Sequence, residues 1–561
     1  MDAASTWLPR GLAVAVFGLY VVAAPPGFYW LDATELSVAS AGLGVAPPTG
    51  FPLLCVLGRA AAMVPVGELG FRVALVSAAA ASLAVLWITR LSLELGAEEP
   101  HGVIGAAIAG ALVALSAGLA RHGTVASPHA LNAAVMAGSL LLLLRVARGA
   151  GARRGLALAA VCGLGMVSHL SFGLVALAAL ALFAVRFYRG ARWPLLAPLM
   201  MLLVAAGLDA YLPVRAARAG AEVAAVADAG GHDSAQMSGA SPDHLGGLAA
   251  HAVGWTSRPA SADLAVVTAA RGQGGAELVE HVADQVGPFA ILAAAFGLLW
   301  LARQRRTRWL AGAVLVLGLG DLGLGAWFGA GALAGGSAGI PLALAAAVCA
   351  GAGVAWLSRY LGRAGPFAGA VVGVLVLVPP GLLAGAEVWP ASAPGGAPEL
   401  PRAWAEAALA APPRAVVVVP DRVEAAGLEY LRGVERARPD LTLRWGAIEA
   451  SATLASATSA SATLAPAALA PAIRSAEVGA GADGSPLDAA TRSLRAIFVG
   501  PGARDRHARR VQAWALARLG RLAAHSGDHA RAQALHEAAR VLAGSAPASA
   551  PAHEQPRQPQ E

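Results

Sequence analysis

The chain has 561 residues, 57% of them hydrophobic and only 13% charged, and a mean hydropathy of +0.61. Soluble domains carry about 25% charged residues, so the composition excludes an ordinary soluble globular protein and points to a bilayer. The formal net charge of +7 comes from arginine alone, since the sequence has no lysine, and Asn132 is its only asparagine. Lysine and asparagine have AT-rich codons, so a GC-rich bacterial genome is expected, and with it a place in the bacterial inner membrane. Under that bias the 67 glycines say little by themselves about packing. Cys55, Cys162 and Cys349 lie far apart in or beside apolar runs, which suggests neither a disulfide framework nor a metal knuckle.

Spanning about 30 Å of hydrocarbon takes roughly 17–25 residues of helix. About eleven apolar runs meet or approach that length, near 10–25, 71–92, 102–120, 129–147, 155–168, 170–187, 194–212, 287–303, 308–328, 338–358 and 366–386. The fifth and sixth are short and meet at "GMVSHLS". The arginine clusters "RVARGAGARR", "RFYRGAR", "RQRRTR" and "SRYLGR" fall in alternate connections, as a cytoplasmic set does. The amino terminus is then cytoplasmic. An outer loop at 25–70, a larger one at 213–286, and everything after about 389 face outward. The basic balance is topological, and nucleic acid is not an expected partner.

After the membrane domain (1–389) the pattern changes. "PRAVVVVPD" reads as a buried strand, "RVEAAGLEYLRGVERA" as a helix with one apolar face, and "LRAIFVGP" as a second strand. Together they predict an extracytoplasmic α/β segment over 390–505, with a low-complexity Ala/Ser/Thr/Pro insertion at 447–486. Residues 506–543 have the spacing of one tetratricopeptide-like (TPR-like) helical pair. A single such repeat cannot bury its face alone, so it is expected to dock or to take a protein partner. The tail 544–561 is Pro/Gln/Ala-rich and predicted disordered.

The stretch "FYWLDATELSVASAGLGVAPPTGFPLL" carries two acids three residues apart. Asp32 as N-cap, Glu35 closing a capping box, and Leu31 and Leu36 at the staple positions account for the spacing as a helix start. Location adds a functional reading. Both carboxylates lie just outside the first span, and ionisable groups at the edge of a low-dielectric wall are functional candidates. A carboxylate there can have a raised pKa and take a proton from an acceptor hydroxyl as general base. The helix amino terminus also favours an anion.

The same stretch resembles the opening motif of a bacterial membrane family in the GT-C glycosyltransferase superfamily, which includes the vertebrate O-mannosyltransferase acting on plexins and related receptors. Asp32, Glu35, Leu36, Leu43 to Ala46, Pro48, Gly50, Pro52 and Leu53 match that pattern, and Phe51 replaces a tyrosine. Further along, "ALNA" at 130–133, "GLGMVSHLS" with His169, "YLPVRA" with Arg215 and "LEYLRGVERARPDL" are similar to family segments in the family's order. Pro47, Thr49, Ser127 and His129 depart from it, and the Asn-Trp-Gly-Asp-Pro segment expected after Arg215 is absent.

The resemblance implies a GT-C-like, all-α polytopic membrane protein that transfers a sugar, mannose or another hexose, from a polyprenyl-phosphate donor. The acceptor is a hydroxyl of a protein or glycan on the extracytoplasmic face, and the anomeric centre is inverted. It implies Asp32 as base with Glu35 beside it, Arg215 on the lipid phosphate, and His122, His169, Thr49, Phe51 and Tyr211 as substrate-binding candidates. No metal or other cofactor is expected. Asp321, inside the ninth run, has no place in the family pattern and is expected to pair with an arginine or face a cavity. The rival readings are an inactive scaffold of the same family and a lipid or glycan transporter; the latter predicts internal repeats, and none is evident.

Overall fold

A computed structural model describes residues 3–217 apart from 30–31, 47–49 and 98–101, and then 286–328, 339–360, 365–392, 416–419, 427–437, 442–445 and two isolated positions. The chain divides into two compact units, 1–260 with 273–475 and 261–272 with 476–561. The described elements belong to the first. The expected strand at 494–501, the low-complexity insertion, the TPR-like pair and the tail lie outside the described residues.

Fourteen helices are described: α1 (Ala3–Ala23), α2 (Asp32–Gly42), α3 (Pro52–Ala62), α4 (Leu69–Leu95), α5 (Gly102–Ala114), α6 (Ala117–Thr124), α7 (Pro128–Ala147), α8 (Ala152–Met166), α9 (Gly173–Tyr188), α10 (Ala197–Asp209), α11 (Pro288–Arg303), α12 (Arg308–Phe328), α13 (Ile340–Tyr360) and α14 (Gly365–Ser392). Two short strands, β1 (Val416–Val419) and β2 (Thr442–Trp445), pair in parallel with Val416 opposite Thr442. Between them lies a helical turn, Tyr430–Val434, closed by an i→i+5 bond from Glu435 N–H to the Tyr430 carbonyl at 3.3 Å.

Five helical segments among the described residues are long and apolar enough to cross a bilayer: Ser5–Ala23, Leu69–Leu95, Pro128–Ala147, Trp193–Ala217 and Ile340–Arg359. The α5–α6 pair, bent by 59°, makes a sixth if counted as one span. This is fewer than the eleven runs of the sequence. The apolar helices Pro52–Ala62, Gly173–Tyr188 and Pro288–Arg303 are shorter, and the third run is not continuous. Ser116 is extended (φ −67°, ψ 130°) and its hydroxyl turns back onto the Val113 carbonyl at 2.9 Å. The Ala114 carbonyl left at the break accepts from the buried Tyr20 hydroxyl of α1 at 2.6 Å. Apolarity alone does not register such a break, because the residues on both sides stay hydrophobic.

Some glycines do more than the codon bias requires. Gly105 of α5 faces Gly351 of α13, and Gly297 of α11 faces the Cys349 carbonyl and Gly353 of α13. A methyl at Gly297 would overlap the α13 backbone. Helices in lipid associate through such close approach, since apolar burial drives them little. Gly297→Val is therefore expected to force α11 from α13 and lower the melting temperature of the detergent-solubilised protein, while Gly11→Val, where the space is open, leaves it unchanged.

Asp321 of α12, expected to pair with an arginine or face a cavity, is buried, and among the described residues it is held by backbone amides instead. Its Oδ2 accepts from Gly339 N–H at 2.8 Å and Leu342 N–H at 3.2 Å. Gly339 is left-handed (φ 97°), and the carboxylate satisfies amides at the start of α13 that have no partner within the helix.

The parallel run of α4 and α7 places the ends. Ser77, near the start of α4, hydrogen-bonds both the N–H and the carbonyl of Ser127 at the start of α7. Glu94, near the end of α4, pairs with Arg145 near the end of α7 at 2.5 Å. The beginning of α4 thus lies at the same end of the bundle as α2, the end of α6 and the α8–α9 junction. The arginine-bearing connection after α7 lies at the opposite end.

Candidate functional site

The site is built around α2. The Thr34 hydroxyl donates to the Tyr29 carbonyl and the Ser37 hydroxyl to the Ala33 carbonyl, which ties the first turns to the preceding loop. Leu36 is fully buried and Glu35 is 5% exposed. Asp32 opens the helix, within the one-residue latitude of helix ends; its side chain, and Leu31 and Thr49, lie outside the described residues. Glu35 turns inward, where its charge acts on Cys55 of α3, and Cys55 hydrogen-bonds Tyr211. Burial, chiefly, pushes the Cys55 thiol up to about 12; the Tyr211 bond opposes the rise and Glu35 adds to it.

The carboxyl end of α2 is capped to an unusual degree. Gly44 N–H reaches the Ala39 carbonyl at 2.8 Å and Leu43 N–H the Ser40 carbonyl at 3.3 Å, the two bonds of a Schellman turn. The left-handed position of that turn is normally glycine, but here it is Leu43, with φ 51°. Three side chains hold the turn from outside. Arg59 of α3 donates to the Ala41 carbonyl at 2.5 Å. Arg215 donates through Nη2 to the Gly42 carbonyl at 2.7 Å and through Nε to the Leu43 carbonyl. Tyr211, one turn earlier on the same segment, donates to the Gly44 carbonyl at 2.8 Å. Four successive carbonyls, 41 to 44, are thus satisfied, and two guanidinium groups stand at the negative end of the helix dipole.

The loop after α2 ends as it begins, on left-handed residues: Gly50 at φ 88° and Phe51 at φ 42°. Phe51 is the N-cap of α3, with Pro52 in the first turn, and its ring packs against the core. Such backbone persists only where the surroundings over-determine it, and it concentrates at functional sites.

A third side of α2 is closed by the turn Tyr430–Val434. Leu428, Tyr430 and Leu431 are fully buried in the core that includes Leu36. The Tyr430 ring lies 4.6 Å from that of Phe28, and its hydroxyl accepts from Gly70 N–H at 3.2 Å. Tyr430→Phe should lower stability by about 1 kcal/mol through the orphaned Gly70 amide; Leu431→Ala, which leaves a cavity, should cost ~2–5 kcal/mol. Both can be read from melting curves.

A cavity of about 10 Å³, about the volume of one water, is lined by Ala33 and Ser37 of α2 and by Thr124, Val125 and Ala126 at the end of α6. The end of α6, the start of α7 and the α8–α9 junction carry a row of histidines. His122 and His129 have ring centroids 4.5 Å apart, and His129 and His169 4.8 Å, all edge-on. Ser127 pairs with His122 Nδ1 at 2.9 Å and Ser171 with His169 Nδ1 at 2.8 Å. Asn132 Nδ2 donates to Ser171 at 3.0 Å. Among the described residues no group of three His, Cys, Asp or Glu side chains is placed to hold a metal ion.

The predicted residues thus fall into three groups at one end of the bundle. Asp32 and Glu35 share the first turn of α2. Tyr211 and Arg215 hold the turn that follows it and Phe51 ends the next loop, so ten helical residues, about 15 Å, separate the Asp32 backbone from the carbonyls Arg215 holds. His122 and His169 flank His129. Sequence reasoning missed Arg59, Cys55 and Tyr430 as parts of this structure. Tyr430 could have been found, since it lies in a family-like segment.

Residues 32–192 match the family model described as "Protein O-mannosyl-transferase TMEM260 N-terminal domain". The match begins at Asp32 and runs through the histidine row to the connection after α9, stopping short of Tyr211 and Arg215. Over this segment the chain is similar to that domain, in a helical build with several membrane-crossing candidates. Among solved structures, the chain is similar to the Archaeoglobus fulgidus oligosaccharyltransferase in the apo form (14% identity, TM-score 0.47, 79% of this chain and 65% of that one). It is also similar to the oligosaccharyltransferase AglB of the same organism in complex with an inhibitory peptide and a dolichol-phosphate (14% identity, TM-score 0.43, 73% and 58%). A third similar structure is the A. fulgidus enzyme tethered to an acceptor peptide (12% identity, TM-score 0.42, 78% and 64%). The chain therefore spans about two thirds or less of the length of these structures. No curated protein matches.

Proposed function

We propose that this chain is an integral-membrane glycosyltransferase that moves a hexose, with mannose the first to test, from a polyprenyl-phosphate carrier to an acceptor hydroxyl, inverting the anomeric carbon. The observation that carries this reading is the match to an O-mannosyl-transferase domain beginning at Asp32, on a helix held on three sides by α3, the Tyr211–Arg215 segment and the Tyr430 turn. In this reading the acceptor oxygen attacks C1 of the sugar from the side opposite the phosphate. The C1–O bond breaks, its electrons leave with the lipid phosphate, and the acceptor's proton passes to Asp32. Glu35, buried one turn on, positions Asp32 or the acceptor.

Arg215 has a double role here. It spends two of a guanidinium's five N–H groups on the α2 turn and offers others, with its charge, to the departing phosphate. Arg59 supplies a second cation at the same turn. The chemistry takes place at the end of the bundle opposite the arginine-rich connections, which the positive-inside rule assigns to the extracytoplasmic face. Of the residues after 389, the turn Tyr430–Val434 packs against α2, and in this reading the segment presents the acceptor.

The test is transfer by purified full-length protein from polyprenyl-phosphate mannose to peptide and glycan acceptors, with the product's anomeric configuration read by NMR. A transporter would move the lipid without acceptor modification, and a scaffold would do neither. Either result would overturn the assignment.

A further inference from the structure

At the end of the bundle away from α2, a hollow of about 540 Å³ opens between the last turns of α4 and α7 and the first turn of α8. It is lined by Glu94, Arg145, Arg148, Gly149, Ala150 and Arg154. Glu94 is already engaged: its Oε1 accepts from Arg145 Nε at 2.9 Å and Nη2 at 2.5 Å, and its backbone carbonyl accepts from Arg148 Nη1 at 3.1 Å. Three guanidinium groups against one carboxylate leave the lining at 3 − 1 = +2. Further positive charge stands close by, for Arg90 feels both Arg10 and Arg145 as well as Glu94. Glu98 and Glu99 lie outside the described residues.

The depth of the hollow identifies its surroundings. It sits where α4 and α7, both long enough to cross a bilayer, end, and so at the level of lipid headgroups. Tryptophans, which favour that level, lie nearby: Trp87, with Arg90 over its ring at 5.3 Å, and Trp193, packed on Gly155 beside Arg154. Next to Trp193, Leu195 and Leu196 are exposed, an apolar surface against which an acyl chain can lie.

We propose that this hollow binds the phosphate of an anionic phospholipid headgroup, with Arg148 and Arg154 as the principal ligands and Arg145 contributing from its pair with Glu94. Guanidinium groups recognise phosphate through paired N–H donors, and basic pockets between membrane helices take anionic headgroups on this principle. The site is independent of the glycosyltransferase reading, because it lies at the other end of the helices.

Native mass spectrometry of the full-length protein, loaded with phosphatidylglycerol or phosphatidylcholine in mild detergent, tests the proposal. Phosphatidylglycerol should be retained in preference, and Arg148→Gln with Arg154→Gln should weaken its retention by about fivefold per arginine, as ~1 kcal/mol per charge corresponds to. Glu94→Gln should act in the opposite direction and raise retention, which no loss of folding can mimic. Melting curves in phosphatidylcholine alone check that the variants fold. Equal retention of the two lipids, an unchanged double variant, or a fall in retention with Glu94→Gln would overturn the site. Saturation by inorganic phosphate, with the same stabilisation and no lipid preference, would overturn its assignment to a lipid.

Discussion

Asp32→Asn should lower sugar transfer by at least about a hundredfold, the lower bound of what a positioned general base contributes, with little change in membrane insertion or melting temperature. Asparagine keeps the volume and helix-start propensity of aspartate, so α2 still forms; only the capacity to take a proton is lost. Glu35→Gln provides the control. Glu35 is buried beside the Cys55–Tyr211 pair, so its loss should disturb packing and stability as well as rate. The two variants thus separate by their ratio of activity loss to stability loss. If Asp32→Asn is fully active and Glu35→Gln is dead, the roles are exchanged; if both are active, the acid pair is a helix start and nothing more. Initial rates at saturating donor, set beside melting curves of the same preparations, decide among these.

What the sequence makes legible depends on whether the cause is local. Long apolar runs announce helices, since a chain in lipid must satisfy its backbone internally, and the acids of α2 read as a helix start because capping is a matter of three or four neighbours. The break at Ser116 is not legible in hydropathy, because Ala114, Leu115 and Ala117 remain apolar across it, and its satisfaction comes from Tyr20, 94 positions away. Asp321 looks like a misplaced charge until α13 brings the Gly339 and Leu342 amides to it. Leu43 is hidden more completely. A leucine gives no sign of a left-handed backbone, and the groups that hold it there are Arg59, Tyr211 and Arg215, two of them more than 160 residues further on. The resemblance pointed to Arg215 and Tyr211; their hold on the carboxyl end of α2, rather than on Asp32, required the structure.

That arrangement allows the two roles of Arg215 to be separated. Arg215→Ala removes hydrogen bonds to the Gly42 and Leu43 carbonyls and a cation from the negative end of the α2 dipole, at a cost of about 1–3 kcal/mol in stability. It should also reduce transfer by about a hundredfold or more, the size of effect expected for one preorganised group stabilising transition-state charge. Leu43→Gly relieves the side-chain penalty of the left-handed turn and should return roughly 1 kcal/mol, so the double variant melts above Arg215→Ala, closer to the parent. If Arg215 acts only by securing the turn, the double variant recovers its activity along with its stability. The double role predicts otherwise: melting temperature raised, transfer no higher than in Arg215→Ala, and the deficit in kcat rather than in KM for the acceptor, because the missing charge is needed where the lipid phosphate leaves.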